Sequence, residues 1–125
     1  MKDSDTSNLK VNTLKAVFHL NDSDSSKKSE LLANMENLKE DERIQIDDIV
    51  AVLNSGAINM AFKDSEASKF IEECKCKGVD FKICGNSLEN ADKTEDELVE
   101  GLDVVSSGVG TLNILEEEGY NYIKV

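Results

Sequence analysis

Cys84 ends the run Val79–Cys84, in which Val79, Phe81 and Ile83 fall on one face and Asp80, Lys82 and Cys84 on the other. A sulfur on the polar face, at the last position of a strand, suits nucleophilic chemistry better than core packing. Gly85 follows without a Cβ, so a second molecule could approach closely there. Against this stands the ordinary habit of free cysteines, which are commonly buried and inert. A free thiol has a pKa of about 8.5, which leaves little thiolate at neutral pH. One helix N-terminus contributes ~0.3–1 kcal/mol, less than one unit at ~1.36 kcal/mol per unit. A strong nucleophile therefore calls for a nearby cation. Lys82 lies two residues back on the same face, roughly 7 Å away by strand rise. His19, the single histidine, ends another strand and could serve as a base or a hydrogen-bond partner. The plainer role for such a histidine is a satisfied structural one.

Four strand ends offer small or polar residues: His19 with Asn21, Asn54-Ser55-Gly56, Cys84-Gly85-Asn86, and Ser106-Ser107-Gly108. In an open parallel sheet, ligands bind outside the carboxyl ends of the strands, so these residues are expected to line one pocket. "SSGVG" enters a helix and could present free N–H groups to an anion. Ser before a helix is also the usual cap. No GxxxxGK[ST] or GxGxxG phosphate loop is present. Cys74-x-Cys76 sits on a helical segment, where residues two apart point in different directions and cannot share one ion. A zinc site also needs about four ligands, and no further Cys or His pair is available. "NDSDS" lacks the glycine and the terminal glutamate of a calcium loop. Neither a metal nor an organic cofactor is expected.

The elements that must hold these residues follow from periodicity. "TLKAVFHL" (13–20) reads as a strand. Leu31, Leu32, Met35 and Leu38 recur at helical spacing over about 25–41. "IDDIVAVLN" (46–54) contains the continuous apolar run of a strand buried on both faces. Asp64 is placed to cap a second helix with Ala67, Phe70, Ile71 and Cys74 as its stripe, and Gly78 to end it. After "VDFKIC" (79–84), Thr94-Glu95-Asp96-Glu97 is a capping box that should start a short helix. "LDVVSS" (102–107) is a fourth strand. Val109, Leu112 and Leu115 face one way on a last helix closed by Gly119, and "YNYIKV" (120–125) is the final strand. Strands alternating with helices make a mainly parallel sheet, hence a three-layer α/β/α fold with five strands. Residues 1–12 are polar and aperiodic and read as a mobile tail, with one domain over 13–125.

The 125 residues suit a single compact domain. A formal charge of −12 disfavours nucleic acid and anionic membrane as partners, since both would be repelled. The start "MKDSDTSN" is not a signal peptide, and no apolar run approaches the ~20 residues that span a bilayer, so the expected location is cytoplasmic. Three cysteines in that setting are expected to be reduced. The acidic clusters, such as Glu116-Glu117-Glu118, read as solvated helix faces.

The succession "KAVFHLND", "LLANMENL", "IVAVLNSGAI", "GVDFKICGNSL" and "VVSSGVGTLNILEEEGYNYIKV" resembles the DsrE/DsrF-like family of small sulfur-relay-type proteins, from about Lys15 to the end of the chain. The resemblance implies a flavodoxin-like α/β fold assembled into homotrimers or homohexamers. It also implies a cysteine that accepts a persulfide from a sulfur donor protein and passes the sulfur to an acceptor. Cys84, within "ICGNSL", is the matching position. The characterised relay subunits carry theirs before small residues and a basic pair, which "CGNSLENAD" lacks. Two functions are therefore expected in competition. One is a sulfur-trafficking protein with Cys84 as carrier and His19 and Lys82 in support. The other is a non-catalytic oligomeric module that holds a small ligand or a partner segment in the strand-end crevice. A nucleotide- or flavin-binding version is weaker, for want of a phosphate motif.

Overall fold

A computed structural model of the chain describes the backbone from Val11 to Val125 and side chains from Leu14 onward. The tail expected over 1–12 falls outside the described residues up to position 10. At Val11 the first strand has already begun.

Five strands, β1 (Val11–Leu20), β2 (Ile44–Leu53), β3 (Val79–Cys84), β4 (Asp103–Val105) and β5 (Asn121–Lys124), form one sheet in the order β4-β3-β2-β1-β5. Every strand pair is parallel. The helices are α1 (Ser25–Glu40), α2 (Ser68–Cys76), α3 (Gly85–Asn90) and α4 (Gly108–Glu117), with 3-10 turns at Ser55–Ala61 and Glu95–Glu97.

The two sheet faces differ in how they are covered. Phe18, Leu20, Ala51, Leu53, Phe81 and Ile83 pack with Leu31 and Met35 of α1, Ile71 of α2 and Leu88 of α3 in the main core. Among the described residues only α4 is laid on the opposite face, where Leu112 and Leu115 meet Val17, Val50 and Val52. β2 is central, and Ile49–Leu53 is buried without interruption because both layers press on it.

Local chemistry explains the boundaries. Asp24 caps α1 by accepting the Ser26 N–H at 2.8 Å. Gly78 and Gly119, at φ +96° and +95°, end α2 and α4 in the left-handed conformation that glycine adopts without strain. Thr94 and Glu97 form the expected capping box, but the segment runs only to Glu97 as a 3-10 turn.

Three local expectations are corrected. Asp64 does not cap α2: Ser65 Oγ takes the Ala67 N–H at 3.0 Å, and the helix starts at Ser68. Phe70 is 55% exposed and Val109 59% exposed. The inner stripe of α2 runs through Ala67, Ile71 and Cys74, and that of α4 through Gly108, Leu112 and Leu115. Each exposed residue sits on the flank of its stripe. α3, directly after Cys84, was not anticipated by periodicity at all.

Candidate functional site

The chain leaves β3 and β4 towards opposite faces of the sheet. After β3 it enters α3, whose Leu88 joins the main core, and after β4 it enters α4, whose Leu112 joins the smaller one. Neighbouring parallel strands whose outgoing connections diverge leave a crevice at their carboxyl ends. Cys84 stands in that crevice, as the last residue of β3 and the N-cap of α3 (φ −68°, ψ 116°). Its side chain points to the α4 side with those of Asp80 and Lys82, as the alternation requires.

Two glycines set how tightly the crevice closes. A Cβ on Gly108 would lie 3.3 Å from the Cβ atoms of both Asn54 and Cys84, so its absence lets the start of α4 settle against the sulfur. A Cβ on Gly85 would lie 2.8 Å from the Val105 carbonyl oxygen. The open space expected at Gly85 for a second molecule is thus occupied by the backbone of β4. Cys84 itself is only 5% exposed, whereas Ser55, Asn86 and Ser106, just beyond the ends of β2, β3 and β4, are exposed. It is closed in rather than uncovered.

As a thiol, Cys84 makes no capping hydrogen bond. Burial pushes its pKa up, but the Ser87 hydroxyl and the backbone N–H groups of Gly108, Ser87 and Asn86 favour the anion and bring it below the ordinary thiol value. The groups that favour the anion are neutral, with no cation among them. Lys82 is held elsewhere, 3.0 Å from Asp80 and 2.6 Å from Asp103. Burial lowers its pKa, yet the two carboxylates outweigh that and raise it.

Ser87 was missed in the sequence. It is the third residue of α3, where an N-cap side chain ordinarily finds its donors, but "GNSLEN" carries no helical signal. Ser87→Ala removes a hydroxyl that favours the anion and should raise the Cys84 titration midpoint. A one-unit rise cuts thiolate tenfold but makes each thiolate roughly threefold more nucleophilic, so alkylation at neutral pH should slow about threefold. Rate against pH checks both the sign and the size.

His19 is 7% exposed, and both ring nitrogens are engaged. Nε2 lies 2.9 Å from Asn54 Oδ1, which can only accept, so Nε2 carries the proton. Nδ1 then accepts from the Tyr122 hydroxyl at 2.7 Å. Burial depresses the imidazole pKa, helped by the charge of Lys124 and opposed by the Asn54 bond, so the ring is neutral near pH 7. Tyr122, like Ser87, was not anticipated, since its meeting with His19 depends on β5 crossing back to pair with β1.

Ser55 adopts φ +51°, a left-handed conformation that costs a non-glycine residue about 1–2 kcal/mol. Its N–H donates to Ser87 Oγ at 2.7 Å. Gly56 packs against Ser23, where a Cβ would lie 3.2 Å from the Ser23 nitrogen. Ser107 caps α4 by accepting the Gly110 N–H at 3.0 Å, while Ser106 is exposed. The structure therefore gathers Asn54, Ser55, Asn86, Ser87 and Gly108 around Cys84, and gives Gly56, Gly85 and Ser107 packing or capping work.

Cys76 is exposed on α2, and burial raises the pKa of Cys74 beside it. A cleft of about 410 Å³ opens between α1 and α2, lined by Met35, Lys39, Cys74, Lys77 and Val79. It lies at the amino end of β3, away from Cys84. Among the described residues no group of three His, Cys, Asp or Glu side chains is placed to hold a metal ion, and no helix is long and apolar enough to cross a membrane.

Residues 15–125 match the sequence profile of the DsrE/DsrF-like family. The solved structure of MTH1491 from Methanobacterium thermoautotrophicum, described as a protein of unknown function, is 37% identical. That match covers 90% of this chain and 99% of the other, with a TM-score of 0.85. The ychN protein of E. coli is 16% identical, with 90% and 100% coverage and a TM-score of 0.70, a likeness of fold alone. No curated protein matches the chain.

Proposed function

The chain belongs to the DsrE/DsrF-like family, and on that premise we propose that it is a cytoplasmic sulfur-trafficking protein in which Cys84 carries a persulfide. Family membership points to sulfur relay. The observation that carries the finer reading is the place of Cys84, the last residue of β3 at the β3–β4 crevice with the start of α4 packed against it, where the Ser87 hydroxyl and nearby backbone N–H groups favour its anion. The Cys84 thiolate attacks the sulfane sulfur of a donor persulfide. A new S–S bond forms at Cys84, the donor's S–S bond breaks, and the donor departs as a thiolate. An acceptor thiolate then attacks the carried sulfur, and Cys84 leaves as a thiolate in turn. No oxidant, reductant, metal or organic cofactor enters the balance. The groups that favour the anion raise the thiolate fraction available for the first step and make Cys84 a better leaving group in the second. Incubation with a persulfide donor, read by intact mass, tests the reading.

The partners in this reading are a sulfur donor protein, an acceptor protein and further copies of the chain. Val109 and Ile114 on α4 are large, apolar and exposed, which supports association with further copies, read here as a homotrimer or homohexamer. Light scattering on the full chain should give three or six times the monomer mass, and a clean monomer would contradict the assembly.

The burial of Cys84 to 5% favours one competing reading, a non-catalytic oligomeric binding module. That reading requires Cys84 to alkylate no faster than a free thiol and to gain no sulfur.

A further inference from the structure

We propose that Tyr122, His19 and Asn54 form a hydrogen-bonded positioning chain that acts through Ser55 to fix the direction of the Ser87 hydroxyl, and so sets how well Cys84 holds its thiolate. The inference rests on Cys84 being the reactive group, and it assigns His19 a task other than that of a base.

The links run from the surface inward. Tyr122, 41% exposed on β5, donates to His19 Nδ1 at 2.7 Å. His19 Nε2–H donates to Asn54 Oδ1 at 2.9 Å. The Asn54 backbone is tied on both sides, its N–H to Leu20 O at 3.2 Å and its carbonyl to the Ala57 N–H at 3.1 Å. With side chain and backbone both held, the Asn54–Ser55 peptide has one orientation. That orientation sends the Ser55 N–H to Ser87 Oγ at 2.7 Å. A hydroxyl has one proton. Once its oxygen accepts from Ser55, its proton is left for another acceptor, and Ser87 stands three residues into the helix that Cys84 caps, where its hydroxyl favours the Cys84 anion.

Serine in a left-handed conformation at Ser55 fits this arrangement, since such geometry persists only where its surroundings over-determine it. The His19 ring is otherwise unexplained: β2 separates its strand from that of Cys84, yet it is buried and carries a hydrogen bond on each side, to Tyr122 and to Asn54. A general base would need a ring nitrogen free to receive the thiol proton, and neither is free.

The test is the pH dependence of Cys84 alkylation in the full chain, resolved by peptide mass. Tyr122→Phe deletes one hydroxyl from an exposed ring and leaves the core untouched, so it carries the test should His19→Gln fail to fold. Tyr122→Phe should raise the Cys84 midpoint and slow alkylation at neutral pH about twofold, and His19→Gln should do more. Each substitution placed in a Ser87→Ala background should add nothing, because the chain acts only through that hydroxyl. An unchanged midpoint in Tyr122→Phe, or a full further shift in the Ser87→Ala background, would overturn the proposal. Sulfur loading is a separate readout: a chain that couples Tyr122 to Cys84 but takes up no sulfur keeps this inference and loses the carrier function.

Discussion

Incubated with a persulfide donor at neutral pH, the wild-type chain should gain one sulfur at Cys84, and Cys84→Ser should gain none there. The effect is expected to be close to all-or-none, because serine supplies no thiolate to attack the donor. The other cysteines provide internal controls. Cys76 is exposed and can pick up sulfur by access alone, whereas Cys74 is half-buried with its pKa raised. Loading must therefore be mapped to the peptide, and Cys84 should fill first although it is the most buried of the three. Equal loading of Cys84→Ser and wild type, or a chain whose sulfur sits on Cys76 alone, would end the carrier reading.

Gly85→Ala should produce the largest loss of stability. Its Cβ would stand 2.8 Å from the Val105 carbonyl oxygen, a backbone atom that cannot swing aside as a flexible side chain would. Either β4 moves away from β3 or the start of α3 is displaced. Overpacking of this kind costs about 1–3 kcal/mol, which for a domain of this size lowers the melting midpoint by on the order of 10 °C. The Cys84 midpoint should rise with it, because Gly85 links the sulfur to the Asn86 and Ser87 donors. Gly78→Ala is the informative comparison: nothing lies within 4 Å of its Cβ, so its cost is one of backbone conformation alone. A Gly85→Ala chain that melts with the wild type would refute the close packing of β3 on β4 at this point.

The sheet was legible because each strand carried a signal that one period could read. Ile49–Leu53 was continuous and had to be sandwiched, and Val79–Cys84 alternated and had to divide its faces. The family resemblance is borne out, and so is the α/β fold with its parallel five-stranded sheet. What surrounds Cys84 was legible only in part. α3 has six residues, opens with glycine and contains no apolar stripe beyond Leu88, so tertiary packing rather than propensity holds it. Ser87 was invisible with it.

Lys82 was assigned the correct face, but its partner Asp103 arrives from β4, and no local pattern announces an ion pair across 21 positions. Gly85 was rightly read as a close approach, while the approaching group proved to be the protein's own backbone. His19 was placed at a strand end by sequence. Its bond to Tyr122 required knowing that β5 returns to the far side of β1.

The titration of Cys84 reaches the centre of this account most directly. Alkylation rate of the full chain is followed against pH and resolved at the Cys84 peptide, with Ser87→Ala alongside. The polar groups that favour the anion predict a midpoint below that of an unperturbed thiol, moving upward when the serine hydroxyl is removed. A midpoint at or above the free-thiol value, indifferent to Ser87, would mean that burial governs this sulfur and that the crevice does not prepare it for transfer.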